Sequence, residues 1–556
     1  MPSFLTPSWP TLLLAVASAG WSFSAQANPA SCFSYTATEG DTLIGLAQQF
    51  LVRPADWPTL ARLNHINQTR RIPIGTVLCI PVSLLKSTPQ TGVVLEVAGQ
   101  ATKSPSAPKH QINAATAINK GDIVSEGMSL RTSTNGYVTV QLADGSILKV
   151  QSDTEVRLDS SQRYIAAGFF ASIWSVVHGR VESLVTHLTG GEPRYQIKTP
   201  QAVLGVRGTE FRVNTDDKRT TTETLTGSVQ VSGPKQAEVV STGQGTVVVA
   251  GQVARPMALP DKPDVSGLPL LHERLVVRLD LPALGRASSY RAQVAQDGDF
   301  RLVRGEASST QTTLRIAGLA DGDYHLRVRA VDAQGLESVD STQRFTLKAR
   351  PEPPLPMSPA AKAKVRDTGL NLVWASHPDA ISYRLQVAKD ASFTALLADL
   401  KDVRDTQARI DLPPGAYVWR VATTRNGPNN GPDNGPWGDA QGVNLLSPPM
   451  QPSAPKVTDL QLIFELPGEA GQRFEFQIAS DKVFAHVIKA LTSDHPTIAI
   501  SRPAEGGLLY VRFRAIDADG FIGPYSQPQL VSLPTCVRDG AQRCVGSGSD
   551  FLRSGS

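Results

Sequence analysis

One pattern recurs three times in the second half of the chain and constrains its fold more than any other feature. Tyr290-Arg291-Ala292-Gln293-Val294-Ala295, Tyr383-Arg384-Leu385-Gln386-Val387-Ala388 and Phe474-Glu475-Phe476-Gln477-Ile478-Ala479 lie 93 and then 91 residues apart, each followed by an Asp and a Phe (Phe300, Phe393, Phe484). A second motif keeps phase with the first: Tyr324-x-Leu326-Arg327-Val328, Tyr417-x-Trp419-Arg420-Val421 and Leu509-x-Val511-Arg512-Phe513. Self-similarity at a fixed period marks a tandem array of equivalent modules. Alternating strands and turn signals in units of this size predict three β-sandwiches, over 269–349, 350–447 and 448–533.

Trp374, on a strand before Tyr383, and the Pro-rich joints at 350–359 and 447–455 make these units resemble fibronectin type III domains. The resemblance implies spacers or protein-contact surfaces, with Arg327, Arg420 and Arg512 at sandwich core or strand edge. Asp517-Ala518-Asp519-Gly520 reads as a turn, because calcium needs about six to eight oxygens and the further carboxylates are missing.

The amino terminus reads differently. Residues 1–27 carry no Asp, Glu, Lys or Arg, contain the apolar run Leu12-Leu13-Leu14-Ala15-Val16-Ala17, and end in Ala25-Gln26-Ala27. This is the pattern of a cleaved signal peptide. The alternative, an uncleaved anchor, is disfavoured because the run is shorter than the ~20 residues a bilayer span needs. Export to an oxidising compartment lets thiols pair. The four cysteines then fall into two local couples, Cys32 with Cys79 and Cys536 with Cys544. Lipidation of Cys32 would need a Leu-led lipobox where Pro29-Ala30-Ser31 stands.

Residues 28–82 predict strand, helix, helix, strand. Gly40 turns the chain, Asp41 or Thr42 caps a helix running to about Phe50, a second helix begins near Asp56 with Pro58 in its first turn, and Asn64 ends it. Glu39-Gly40-Asp41-Thr42-Leu43, Ile44-Gly45-Leu46-Ala47, Trp57-x-x-Leu60-x-x-Leu63-Asn64 and Ile74-Gly75-x-x-Leu78-x-Ile80-Pro81 resemble the LysM module in order and spacing. The resemblance implies binding of peptidoglycan or another N-acetylglucosamine polymer in a shallow groove, at Gly40, Asp41, Thr42, Asn64, Ile66 and Ile74. A neutral glycan suits backbone N–H and C=O groups on fixed turns, which need no charged ligand. Each residue also has a structural reading: Asp41 as a cap, Asn64 as a helix stop, Ile66 as core.

Residues 83–113 lose periodicity and predict a linker. Over 114–250, Val138, Val140 and Leu142 alternate with polar residues before Asp144-Gly145, a hairpin signal. Further short strands are expected at 155–158, 180–185, 195–199, 210–214 and 228–232, giving an all-β domain. Lys198-Thr199-Pro200-Gln201-Ala202-Val203-Leu204-Gly205-Val206-Arg207-Gly208-Thr209-Glu210-Phe211 resembles the signature of FecR-like domains. The resemblance implies an extracytoplasmic β domain that contacts a partner. Residues 251–268 read as a second linker and 534–556 as a Cys-containing tail.

Basic and acidic residues number 54 and 50, a net charge of +4 that supplies no field for a row of phosphates, so nucleic acid is not expected as a partner. His-Glu-x-x-His, Gly-x-Ser-x-Gly, Gly-x-x-x-x-Gly-Lys and Cys-x-x-Cys motifs are absent. Neither a metal nor a cofactor is implied; His178 and His187 have no neighbouring Cys or carboxylate ligand. The expectation is a multidomain, mainly β, non-enzymatic protein of the periplasm or cell wall, gripping glycan through its first module and presenting β surfaces to an envelope partner. The alternatives are a signalling component acting through the FecR-like part and a wall-remodelling enzyme with an unrecognised site.

Overall fold

The computed structural model describes residues 32–68, 70–105, 115–186, 195–206, 208–429, 431–458, 460–503, 506–533, 537–538, 540–541 and 544–545. The signal segment 1–27 and the pairing of Cys536 with Cys544 lie outside the described residues and side chains. The chain is mainly β and divides into two compact units. One holds residues up to Leu268 with 279–314 and 325–343; the other holds 269–278, 315–324 and everything from 344 onward.

The first unit opens with the small helical module. Strand Cys32–Thr36 pairs antiparallel with Val77–Pro81, and the Cys32–Cys79 disulfide ties them. Helix Leu43–Phe50 starts where Thr42 accepts the Gly45 N–H at 3.0 Å, and it buries Leu43, Leu46, Ala47 and Phe50 on one face. Trp57–Leu63 follows, with Pro58 tolerated in the first turn because its missing N–H would have no helical partner there.

Strands between Thr88 and Ala258 then close into a barrel built from two sheets. The 16-residue strand Phe169–Leu184 belongs to both. Its first half pairs with Glu155–Tyr164 and Tyr195–Lys198, and its second half with Ile147–Val150 and Glu210–Thr215. The crossing point is Gly179, at φ +96°, where a Cβ would stand 2.3 Å from Thr154 Oγ1 and 2.6 Å from the Asp153 carbonyl. Only glycine fits that bend. Val140, Leu148, Trp174, Phe211 and Val231 pack between the sheets. The predicted hairpin is present, with Tyr137–Gln141 against Ile147–Val150 and the Asp144 carboxylate accepting the Ser146 N–H.

The expected linker at 83–113 is corrected over its described part. Thr88–Pro89, Gly92–Ala98 and Ala101–Pro105 are barrel strands, the second pairing with Tyr137–Gln141 and the third with Met128–Thr132. The Ser, Thr, Gln and Lys around them hid Val94, buried in the barrel core, and Ala98, buried against the first repeat. The first module is consequently clamped rather than tethered. At the turn of the long barrel hairpin, Phe169 packs into the module's core, its ring 6.0 Å from Phe33 and 4.6 Å from Tyr164.

The same unit contains the central strands of the first repeat, Ser289–Ala295 between Val303–Ser309 and residues 325–331. In the second unit, repeats two and three are each two packed sheets. Repeat two sets a three-stranded sheet, Pro356–Ser358, Gly369–Trp374 and Gln407–Asp411, against the sheet carrying Ser382–Ala388 and Gly415–Asn426. Trp374, Tyr383 and Trp419 fill the space between them. Repeat three repeats the plan with Phe464, Phe476 and Phe513. Among the described residues no helix is long and apolar enough to cross a membrane.

Candidate functional site

Two turns of the helical module come together through the backbone. Ala37 exchanges hydrogen bonds with Gly75 and Thr76, and the Ile72 N–H reaches the Asp41 carbonyl at 3.4 Å. This joins the Gly40–Thr42 turn to the loop before the second strand. Gly40 and Gly75 both take positive φ, and neither has an atom within 4 Å of where a Cβ would stand. Ile74 is 70 % exposed, Val77 beside it is exposed, and Ile66 is half-buried against the module's core.

The polar side chains expected at this groove are occupied by the module itself. Asp41 Oδ2 accepts from the Thr38 N–H (2.6 Å), the Thr38 hydroxyl (3.1 Å) and the Tyr35 hydroxyl (2.9 Å). The Thr38 N–H, above all, holds this carboxyl below its ordinary range. Thr42 is spent on the helix cap. Asn64 donates to the Leu60 and Cys79 carbonyls at 2.9 Å each and accepts the Cys79 N–H at 2.7 Å, a strut between the second helix and the second strand. On this side of the module the glycine turns stay open and Ile74 stays exposed.

Sequence reasoning missed a second constellation, the buried charged junction between the barrel and the first repeat. Arg291, Gln293, Arg327 and Arg329 stand on one sheet face of the repeat, Gln293 opposite Arg327 and Arg291 opposite Arg329. Glu182 of the barrel bonds Arg327 at 2.9 Å and Arg329 at 2.8 Å. Arg212 of the barrel reaches Asp340 at 2.6 Å and the Ser338 carbonyl at 2.8 Å. Arg291 holds Glu306 at 2.7 Å and Glu337 at 3.3 Å, and Tyr137 of the barrel donates to Glu306 at 2.8 Å. Burial alone would raise the Glu182 carboxyl, but Arg327 and Arg329 outweigh it and hold Glu182 well below its ordinary range. Glu223 goes the other way: burial, then the charge of Glu337, pushes it up to about 8. Beside this network a polar cleft of about 310 Å3 opens between Asp153, Arg180, Asn214 and Glu306.

The available signal was the Arg-x-Arg alternation of Arg327-Val328-Arg329, which puts two charges on one strand face. It reads as a solvated edge until a partner covers it. Of the FecR-like signature, Gly205 lies in the strand Val203–Val206, paired with Gln196 and Gln230, and Gly208 takes φ +61°. Arg207 lies outside the described residues.

Family models match two segments of the chain. The LysM domain model matches residues 35–81 and the FecR protein model matches residues 128–230. LysM domains generally bind N-acetylglucosamine polymers, both modules are typical of envelope proteins, and the modules found are binding or regulatory rather than catalytic. No curated protein matches the chain.

Solved structures with likeness to parts of the chain include one described as an anti-sigma factor from Parabacteroides distasonis. It is 18% identical with TM-score 0.20, over 23% of this chain and 59% of its own, so the chain spans 59% of that structure's length. The FN1-FN3 domains of chicken CNTN1 are 14% identical with TM-score 0.20, over 50% of this chain and 98% of theirs. The fibronectin(III)-like modules of Clostridium thermocellum CbhA are 14% identical with TM-score 0.19, over 32% of this chain and 93% of theirs.

Proposed function

We propose that this is a non-enzymatic protein of the periplasm or cell wall that holds peptidoglycan glycan in the groove between Gly40–Thr42 and Ile66–Ile74, and that its β domains form a scaffold for an envelope partner. The observation that carries this reading is which side of the helical module stays open. Phe169 seals the Phe33 and Phe50 side, while the two glycine turns and Ile74 remain uncovered. A neutral sugar chain needs matched donors and acceptors plus an apolar face for its ring, and that combination is what the open side supplies. The barrel clamp supports a fixed presentation of the glycan, in place of a mobile tether.

The test is a pull-down of the full chain on purified peptidoglycan, followed by analysis of released muropeptides. Retention without cleavage is expected. Ile74→Asp, at an exposed position with no packing role, is expected to abolish retention with the melting temperature unchanged. Release of new fragments would make the protein a wall enzyme instead. Loss of retention by the unaltered chain would leave the groove without a ligand. A signalling role for the barrel is favoured by its FecR match over 128–230, and it predicts that deleting the protein alters envelope-responsive transcription.

A further inference from the structure

The three repeats carry one cluster on the same sheet face, and its surroundings differ between copies. In each, a glutamine on one central strand lies opposite an arginine on the next: Gln293 with Arg327, Gln386 with Arg420, Gln477 with Arg512. Each glutamine Oε1 accepts from that arginine at 3.0 Å or less. Each guanidinium also sits over the ring of a phenylalanine at positive φ, at 4.5, 3.9 and 4.0 Å for Phe300, Phe393 and Phe484. A guanidinium has five donors, so this arrangement leaves donors pointing away from the sandwich.

What covers those donors differs between copies. Ser338, Gly435 and Gly523 donate to the carbonyls of Ala330, Thr423 and Ala515, equivalent bonds that put Asp340, Trp437 and Tyr525 at one structural position two residues on. In the first repeat that position is a carboxylate, and the barrel seals the face with Glu182 at 2.9 Å from Arg327. In the second, the Trp437 ring lies 4.7 Å from Arg420, and Arg274 stands at the rim, bonding the Trp437 carbonyl and Asp439. In the third, the Tyr525 ring lies 4.2 Å from Arg512. Arg514 is there paired with Glu475 at 2.5 Å, but among the described residues no carboxylate lies within 4 Å of Arg512. A half-buried guanidinium held by an amide between two rings, with its charge unpaired, is preorganised for a carboxylate.

We propose that this face of the third repeat, centred on Arg512 and Tyr525, is a docking surface for a second protein that presents a carboxylate from a β-strand, engaged as Glu182 engages Arg327. The edge strand beside it favours a protein occupant. In the first repeat, Val303 of the edge strand is buried with Tyr137 and Ala98 of the barrel. The equivalent strand of the third repeat, Val487–Ser493, is uncovered, with Val487 41% and Ile488 61% exposed. An apolar rim beside a charged anchor and a free strand edge suits a protein surface and exceeds what a small acid could cover.

The test places a photo-crosslinking p-benzoylphenylalanine at Tyr525 of the full chain, in cells that make the protein, with Val483, 81% exposed in the same repeat, as control position. The expected result is a protein adduct at 525 and not at 483, mapping to a partner strand that carries Asp or Glu. Arg512→Glu should lower the adduct at least tenfold, and changing the partner's carboxylate to Lys should restore it. Ile488→Asp, on the exposed edge where folding is not at stake, should lower the adduct severalfold. No adduct above the control, an adduct released by muramidase and therefore glycan, or a protein adduct indifferent to both substitutions would overturn the proposal.

Discussion

Glu223 offers a quantitative check on the buried junction. The residue is 2% exposed on the barrel strand Arg219–Thr226, and it accepts the backbone N–H of Glu337 at 3.2 Å. Burial first, and the Glu337 charge second, raise it from 4.5 to about 8, with Arg212 and Arg329 opposing. The unfolded chain loses this proton near 4.5, whereas the folded chain keeps it to about 8. Between those values the folded state binds one more proton, so stability is fully present below pH 4.5 and is lost as pH rises through about 8. One proton of difference is worth about 1.4 kcal/mol per pH unit, so the loss across the window reaches about 5 kcal/mol. Glu337 does not cancel it. Its carboxyl is held well below 4.5 by Arg291 and Arg329 against the effect of burial. That contribution is present above 4.5 and lost only in acid.

Glu223→Gln keeps the shape and the acceptor but has no proton to lose. Calorimetric unfolding of both proteins from pH 5 to 8.5 should show the wild type losing about 1.4 kcal/mol per pH unit relative to the variant up to about pH 7, with the loss levelling off as pH passes about 8. Two curves that stay parallel within about 0.5 kcal/mol over that range would refute the account of a proton held on Glu223.

The remaining predictions concern the frame. Phe169→Ala should cost about 3 kcal/mol by emptying the contact with Phe33, and should speed tryptic cleavage after Lys86 as the helical module comes loose. Asn64→Ala strips partners from the Cys79 N–H and C=O and should lower the module's stability by about 2 kcal/mol in a urea titration, a larger loss than Thr42→Ala, near 1 kcal/mol. Gly179→Ala forces a Cβ against backbone at positive φ and should cost more than about 2 kcal/mol, read as a fall in the barrel's melting temperature. Reducing Cys32–Cys79, which spans 47 residues, should remove about 3 to 4 kcal/mol from the module, measured with and without dithiothreitol.

Local rules made much of this protein legible. The helix from Leu43 follows from its cap and from four apolar residues at helical spacing, and Asp144-Gly145 announced its hairpin. The motifs at Tyr290, Tyr383 and Phe474 became equivalent central strands, each paired with the strand that carries Arg327, Arg420 or Arg512. Of the expected site residues, Gly40, Asp41 and Thr42 form a turn where the motif put it, but Asn64 and Asp41 are committed to internal hydrogen bonds that no one-dimensional pattern distinguishes from ligand contacts. Strands at 92–98 and 101–105 were hidden because their polar residues face outward on a barrel whose other strands lie far along the chain.

Sequence alone determined the module order, the repeat phase and the turns, because these depend on neighbours within a few residues or on identity between copies. Only the tertiary structure decided that Phe169 closes one side of the helical module and that Arg327 is buried under Glu182 while its twin Arg512 has no carboxylate within 4 Å among the described residues. A charged side chain on a strand carries no mark of its fate. Whether it meets water, an aromatic ring or an opposite charge depends on what another sheet brings within about 4 Å, and the cost of burying it unpaired makes that choice matter.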